Sequence, residues 1–270
     1  MNYLEGNIRI SAKGIGYVTL DPTAGKNSEA VEIDANFLNT ALHGDLVKVA
    51  LHPKVEGENG TGEVVEILER KRMEFVGVLE LENSFYYLLP DDKRVYKDIL
   101  IAPDKLYGAK VGDKILARIT EWHDPKKDPI GEVLVVIGRP GDHDTEMRAI
   151  VYEKGFQPGF PKEVEEDAER IKKISVADLA EEIKKRRDMR GVLTFTIDPV
   201  DAKDFDDAIS YQVLPNGQTE IGVHIADVAH YLVPGTKLDS EARHRATSIY
   251  LVDRTIPMLP EVLSNDLCSL

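Results

Sequence analysis

The sequence predicts a multidomain fold in which two consecutive all-β barrels precede an α+β domain. Three observations lead to this prediction: a duplication in the first half, a helical stretch after it, and an aspartate-rich loop between two strand-like runs. We expect the first barrel at residues 1–70, the second at 71–142, a helical linker that opens the last domain at 143–190, and the rest of that domain at 191–270. A chain of 270 residues is long enough for several cores.

The duplication has a period near seventy residues. Residues 41–49 (ALHGDLVKV) match residues 109–117 (AKVGDKILA) at an offset of 68, and residues 62–70 (GEVVEILER) match residues 131–139 (GEVLVVIGR) at an offset of 69. Two separated blocks in the same order and at the same spacing indicate a repeated unit. Each copy has short strand-like runs broken by Gly, Pro and Asp, a pattern typical of an antiparallel barrel of about five strands.

The barrels carry residues suited to binding nucleic acid. Residues 13–18 (KGIGYV) alternate glycines with larger residues, so that a ligand can approach closely, and Tyr17 offers a ring for base stacking. This run resembles the RNA-binding strand of cold-shock domains, which are OB-fold barrels, and the resemblance implies that Lys13 and Tyr17 bind RNA. In the second copy Tyr86, within the aromatic run 85–87, is the corresponding candidate. The alternative is that alternate rings of that run fill the barrel.

The linker is predicted to be helical. Apolar residues recur every three to four positions at Val164, Ala168, Ile171 and Ile174. A capping-box pattern that begins at Ser175 predicts that a second helix starts there. The basic run 184–187 is either a solvated helix end favoured by the helix dipole or a phosphate contact.

The aspartate-rich loop is the most distinctive feature of the second half. Five aspartates occupy ten positions between two strand-like runs; they are Asp198, Asp201, Asp204, Asp206 and Asp207. Clustered carboxylates repel one another, and oxygen ligands suit Mg²⁺ or Mn²⁺. The alternative is a solvated acidic loop that binds no metal ion. An EF-hand calcium loop is excluded, because positions 3, 5, 6 and 12 counted from the first aspartate do not carry the required residues.

Composition restricts the class of protein. The net charge of −14 opposes general affinity for polyanions, although stacking surfaces can still bind them. A single cysteine excludes a disulfide framework and a cysteine-based zinc site. No apolar run approaches the length of a membrane span, and the N-terminus lacks the pattern of a secretory signal. We therefore expect a cytoplasmic protein that does not contact membranes.

Three blocks of the second half closely resemble the ribonuclease II / ribonuclease R family: residues 196–208, 224–231 and 256–270. The resemblance implies that residues 191–270 are the N-terminal part of a ribonuclease II-type catalytic domain. It also implies a Mg²⁺-dependent, processive 3′→5′ exoribonuclease, a hydrolase that converts single-stranded RNA to nucleoside 5′-monophosphates. The family's pattern of four aspartates, catalytic and metal-binding, falls on Asp198, Asp204, Asp206 and Asp207. Within the family, the residue types in this motif (DAKDFDD at 201–207) favour the ribonuclease R branch.

Two further expectations follow from the resemblance. A tyrosine that packs beside the terminal nucleotides falls on Tyr250, for which a core aromatic is the alternative. Independently of the resemblance, Asp227, at the end of a predicted strand, is either a further acid near the site or the start of a turn. Because the family's catalytic domain extends well past the equivalent of residue 270, we expect this chain alone to bind single-stranded RNA weakly, as a monomer, with little nuclease activity. The alternative function is a non-catalytic RNA-binding protein.

Overall fold

A computed structural model describes residues 2–19, 30–53, 60–200, 202 and 205–269. The chain divides into two compact units, Met1–Phe156 and Gln157–Leu270. No helix in the described part is long and apolar enough to cross a membrane.

The first unit begins with a five-stranded antiparallel sheet. Its strands, in the spatial order β3-β2-β1-β4-β5, are β1 (Tyr3–Ile10), β2 (Gly16–Thr19), β3 (Ala30–Ile33), β4 (Leu46–Leu51) and β5 (Gly62–Glu69). The sheet coils around a core in which Ile8, Val18, Ile33 and Val47 are fully buried. Alternate residues of each strand point into this core, as the period of two predicts.

A second set of five strands forms a closed barrel in the order β10-β8-β7-β6-β9. The strands are β6 (Glu74–Glu82), β7 (Phe85–Pro90), β8 (Ile99–Ile101), β9 (Lys114–Glu121) and β10 (Ile130–Gly138). Leu79, Leu88, Ile99 and Ile115 are fully buried in its core. The helix α1 (His143–Glu153) packs against the outside of this barrel through the buried Ala149.

The predicted duplication is confirmed in three dimensions. The carboxylate of Asp45 accepts a hydrogen bond from the Leu42 backbone N–H at 2.8 Å, and Asp113 accepts one from the Lys110 N–H at 2.8 Å. These pairs lie 68 positions apart in the chain, and a short 3₁₀ helix precedes the loop in both copies, at Ala35–Phe37 and Pro103–Lys105. The two copies therefore share the same loop chemistry as well as the same strands.

The two copies differ in how the strands close on themselves. In the second barrel β8 and β10 pair in parallel through Leu100–Ile130 and Ile101–Gly131. The equivalent contact in the first copy is a single parallel bridge between Glu32 and Thr61. The prediction of a barrel thus holds in full for the second copy, whereas the first is a coiled sheet whose edges meet at one residue pair.

The two barrels pack directly on each other inside the first unit. Leu42 of the first copy is buried in the core of the second. Tyr96 of the second copy donates its hydroxyl hydrogen to the Ala41 carbonyl oxygen at 2.9 Å, and its ring contacts both cores. Burial raises the pKa of Tyr96 well above its ordinary value, so the hydroxyl stays protonated and keeps this bond.

The second unit combines helices with two small sheets. It contains α2 (Lys162–Lys185), the sheet β11-β12-β13 (Leu193–Phe195, Asp207–Val213 and Thr219–Ile225), α3 (Val228–Tyr231), α4 (Lys237–Arg245), the hairpin β14-β15 (Ile249–Tyr250 and Thr255–Ile256) and a π-helical segment at Leu263–Leu267. Its core joins α2, α4 and the C-terminal segment through Val164, Ala168, Leu238 and Leu263.

The predicted break at Ser175 is wrong, because α2 continues without interruption from Lys162 to Lys185. No Gly or Pro interrupts this segment, and it is rich in Ala, Glu and Lys. Extending a formed helix through such residues is more favourable than ending it and nucleating a second one. Ser175 therefore lies inside a helix despite its capping-box pattern.

Candidate active site

The C-terminal end of the aspartate loop is held by backbone hydrogen bonds. Asp206 accepts a bond from the Ala226 N–H at 3.0 Å through its carbonyl oxygen, and Asp207 opens β12 opposite Ile225. The Phe205 N–H donates to the Ser269 hydroxyl at 3.0 Å. The loop is therefore attached both to β13 and to the C-terminal segment, two of the three blocks singled out in the sequence.

The N-terminal end of the loop carries an unusual carboxylate. Asp198 follows β11, and its Oδ2 atom is buried without a hydrogen-bond partner among the described residues. A buried carboxylate oxygen without a donor is strongly unfavourable unless a cation or another donor satisfies it. Asp198 thus has the environment expected of a residue that binds a cation.

The structure describes only some of the aspartates of the predicted cluster. Asp206 and Asp207 are exposed, whereas Asp204 and Asp201 lie outside the described residues. Within the described part of the chain, no three His, Cys, Asp or Glu side chains lie close enough to hold a metal ion by themselves. The four-aspartate site therefore stays a prediction, with Asp198 and the pair Asp206 and Asp207 at the two ends of one loop.

Asp207 lies on a sheet face that is apolar and uncovered. Strand alternation places Asp207 on the same face of β12 as Ile209 and Tyr211, and the facing residues of β13 are Ile225, Val223 and Ile221. Those three side chains are 66%, 70% and 67% exposed. Apolar alternation along a strand is typical of a buried face, yet this face is open. A contiguous apolar face of this kind is typical of a surface that contacts a partner or a ligand.

The opposite face of the same sheet borders a groove of about 1210 Å³. His224 lines it, and its Nε2 atom lies 2.8 Å from the hydroxyl of the buried Ser210 on the neighbouring strand. Gly222 makes this contact possible, because a Cβ there would lie 2.4 Å from the Ser210 hydroxyl oxygen. Cys268 also lines the groove, and burial raises the pKa of its thiol to about 11, so it stays protonated at neutral pH.

Asp227 is engaged in an ion pair. Its carboxylate accepts a hydrogen bond from the Arg186 guanidinium at 2.9 Å, and this bond holds the pKa of Asp227 below its ordinary value. Asp227 also immediately precedes α3, and its carbonyl oxygen accepts the His230 N–H. Of the two alternatives, the structure favours the start of a turn, with the carboxylate fastening the end of α2.

The basic run at the end of α2 is likewise paired with acids. Lys184 contacts Glu181 at 2.6 Å, and Arg187 contacts Glu220 at 2.6 Å. Lys185 lies 3.3 Å from Glu182. All of these cations are largely exposed, and their nearest anions belong to the chain itself. The arrangement fits a solvated helix end better than a phosphate site.

The four RNA-binding candidates differ in exposure. Lys13 lies exposed in the turn between β1 and β2, and Tyr17 is half-buried on β2 opposite Arg9. Tyr86 is half-buried and packs against the core of the second barrel, which fits the alternative of barrel packing, whereas Phe85 in the same run is 57% exposed. The alternation of side-chain direction along β7 decides which of these rings faces the core, and the sequence alone left this question open.

Tyr250 lies on the hairpin strand β14 and is 70% exposed. The alternative of a core aromatic is therefore wrong. An exposed ring on a short hairpin is compatible with the stacking interpretation, which stays a prediction.

These features define a multidomain chain of two OB-type barrels and an α+β domain with an acidic loop at a strand end. Family models match three parts of it: the Ribonuclease B OB domain at residues 6–67, the Cold shock domain at 87–161 and the RNB domain at 186–270. The chain belongs to the ribonuclease II / ribonuclease R family.

Curated relatives support this membership. Ribonuclease R of Thermotoga maritima is 38% identical over 269 residues, which are 98% of this chain and 36% of the relative. Ribonuclease R of Escherichia coli is 32% identical, and the match covers 100% of this chain and 32% of the relative. The chain thus spans about a third of the length of these relatives.

Solved structures show the same fold. RNase R of Mycoplasma genitalium, in complex with ribose-methylated single-stranded RNA, matches with a TM-score of 0.84 and 30% identity; the match covers 98% of this chain and 41% of that one. Yeast Ssd1, described as a pseudonuclease, matches with a TM-score of 0.71 at 20% identity over 99% of this chain and 39% of that one. The second likeness shows the fold alone.

Proposed function

We propose that this chain supplies the RNA-binding barrels and the aspartate part of the active site of a Mg²⁺-dependent 3′→5′ exoribonuclease. The substrate would be single-stranded RNA and the products nucleoside 5′-monophosphates. The observation that carries the proposal is the buried, unpartnered oxygen of Asp198 at one end of a loop whose other end presents Asp206 and Asp207. Carboxylates in this setting fit a hard divalent cation.

Asp198, Asp204, Asp206 and Asp207 would hold Mg²⁺, or Mn²⁺ in its place, and the ion would activate water and offset charge on the scissile phosphate. The chain's own residues have separate tasks. Two hydrogen bonds hold the loop in position: the Ala226 N–H donates to the Asp206 carbonyl oxygen, and the Phe205 N–H donates to the Ser269 hydroxyl. Tyr17, Lys13 and Tyr250 would contact the RNA, by stacking or by charge.

The uncovered face beside Asp207 bears on the activity of these residues alone. A catalytic site open to bulk water on one side loses the electrostatic advantage that an enclosed site provides. We therefore expect the chain to bind RNA and to release few or no mononucleotides.

A chimera tests the proposal. This chain would replace the aligned part of the Thermotoga maritima relative, and a 5′-labelled single-stranded RNA would be incubated with the chimera and Mg²⁺. The chimera should shorten the RNA to small labelled fragments, and Asp206→Asn should abolish the shortening while RNA binding persists, because the barrels are untouched.

The second candidate function is a non-catalytic RNA-binding protein. A folded chimera that binds RNA and leaves it intact, alongside an unmodified relative that degrades it, would establish this second function and overturn the first.

A further inference from the structure

The loop after the 3₁₀ helix of the second barrel holds a tyrosine in an unfavourable backbone conformation. Tyr107 has a φ of 45°, in the left-handed region. Bulky L-residues rarely adopt this region, because their Cβ then crowds the neighbouring carbonyl oxygen, whereas Asn and Gly adopt it more readily. The choice of tyrosine at this position therefore needs a reason other than backbone preference.

The duplication shows that the fold itself imposes this conformation. The counterpart of Tyr107 in the first barrel, 68 positions earlier, is Asn39, and its φ is 55°. Both residues directly follow a leucine that packs against a barrel core, Leu38 in the first copy and Leu106 in the second. The first copy thus satisfies the same backbone requirement with a residue that suits it, and the second does not.

Packing does not explain the tyrosine either. Its side chain is 62% exposed. Its hydroxyl oxygen lies 3.5 Å from Lys105 Nζ, which is 6.0 Å from the ring centroid. The next residue, Gly108, carries no side chain. The exposed part of the Tyr107 ring is therefore accessible to a ligand from solvent.

The surrounding charge indicates which part of a nucleic acid would bind here. Lys105 lies 3.9 Å from Glu132, and Asp104 is the neighbouring residue in the 3₁₀ helix. Two acids thus surround one base, so the loop has no excess positive charge to attract phosphate. An exposed ring in such surroundings binds the π-face of a base, and it does so for every base type.

We propose that Tyr107 is a base-stacking residue of the second barrel and binds an unpaired nucleobase of single-stranded RNA. The inference rests on the proposed RNA-binding function and adds to it a contact that the sequence motifs did not indicate. The tyrosine is retained for its ring, in spite of the backbone conformation that it must adopt.

The test compares Tyr107→Asn with Tyr107→Phe in the whole chain. Binding of fluorescent oligouridylate and oligoadenylate would be followed by anisotropy at two salt concentrations. Tyr107→Asn should weaken binding of both RNAs about tenfold, by about the same factor at each salt concentration, because stacking releases no counterions. Tyr107→Phe keeps the ring and should bind as the parent does.

Thermal unfolding separates a binding role from a structural one. Because Asn suits the left-handed region, Tyr107→Asn should unfold at the parent's temperature or slightly above it. A clearly lower unfolding temperature would show that the ring stabilises the barrel and would overturn the inference. Unchanged RNA affinity in Tyr107→Asn, with a parent chain that binds RNA, would overturn it too and leave the proposed function intact. A parent chain that binds neither RNA would defeat both.

Discussion

At the scale of single residues, Asp198 stands out because one of its carboxylate oxygens is buried without a hydrogen-bond partner among the described residues. An arrangement of this kind destabilises the fold unless a ligand compensates for it, and residues at functional sites often show such a trade between stability and binding. The buried oxygen of Asp198 is therefore the feature of this loop that a bound cation would satisfy.

This trade predicts opposite effects of Asp198→Asn with and without metal. In metal-free buffer the neutral amide should raise the free energy of unfolding by about 1 kcal/mol, because less charge is desolvated. With millimolar Mn²⁺ the parent chain should gain stability and the variant should not. Thermal unfolding of both proteins measures this. Asp188→Asn is the control, since Asp188 is exposed and paired with Arg190, and its response to Mn²⁺ should match the parent's.

Arg245 is the second residue whose role can be stated in energetic terms. It is buried, its guanidinium donates to the Gly159 and Pro257 carbonyl oxygens and to Glu241, and it lies 3.7 Å from the centroid of the Phe160 ring. Arg245 thus connects α4 to the segment before α2, at Gly159, and to the segment after β15, at Pro257. Lysine cannot reproduce this planar set of donors.

Arg245→Lys should therefore lower the free energy of unfolding by about 3 kcal/mol, since it leaves buried acceptors without donors. Urea unfolding of the whole chain measures the loss. Arg243→Lys is the matched control: Arg243 is exposed, and its pair with Asp239 should contribute less than about 1 kcal/mol. Equal effects of the two substitutions would contradict the role given to Arg245.

At the scale of elements, the start of α4 illustrates how local sequence sets a pH dependence. The Thr236 hydroxyl accepts the Asp239 N–H at 3.1 Å, and the Asp239 carboxylate accepts the Gly235 N–H at 2.9 Å. This backbone bond, followed by the Arg243 guanidinium, holds the pKa of Asp239 below its ordinary value. A carboxyl whose pKa is lower when folded stabilises the protein above its unfolded pKa.

The stability contributed by Asp239 should therefore be lost as the pH falls from about 4 toward the lower pKa of the folded state. Asp239→Asn should show a shallower loss of stability between pH 5 and pH 2.5 in urea unfolding. Thr236→Ala removes the helix cap and should lower stability by about 1 kcal/mol with the parent's pH slope unchanged. A parent-like slope in Asp239→Asn would contradict the assignment.

Elements were predictable from the sequence where a pattern occurs twice or where local chemistry is unopposed. The barrels followed from the repeated Gly-Asp loops, whose aspartates cap the same backbone N–H in both copies. The break at Ser175 was a wrong prediction, because a capping pattern is weaker than the continuity of a helix rich in Ala, Glu and Lys. A short sequence motif therefore predicts structure reliably only where the neighbouring residues do not favour a different structure.

Side-chain direction was the least predictable property of the site. Tyr86 and Phe85 are neighbours of similar chemistry, and only the register of β7 with β6 and β8 sends the first to the core and the second to solvent. Tyr250 illustrates the converse, because its hairpin keeps it exposed where the sequence allowed a core position. Tyr107 gave no signal in the sequence, since its significance depends on its φ value.

At the scale of the whole molecule, the uncovered face of β12 and β13 is the feature that most affects function. An alternation such as that of Ile221, Val223 and Ile225 is typical of a buried face, and the structure shows this face open. The matched relatives are almost three times as long as this chain, as the 36% coverage of the Thermotoga maritima protein shows.

Substitutions on this face should be tolerated by the isolated chain. Val223→Thr should change the free energy of unfolding by less than about 0.5 kcal/mol, because the side chain is already in water and Thr suits a strand. Binding of the dye ANS should fall. Val133→Thr, at a position buried in the second barrel, is the control and should lose about 1–3 kcal/mol. A large loss for Val223→Thr would show that the face is packed in solution.

The central claim is that the aspartate loop binds a divalent cation, and it is tested most directly by titrating the chain with Mn²⁺ and following free Mn²⁺ by electron paramagnetic resonance. The account predicts saturable binding that Asp206→Asn weakens about tenfold or more, with RNA affinity unchanged. Equal Mn²⁺ binding by the parent chain and by Asp206→Asn would contradict it, and the loop would then be a solvated acidic segment.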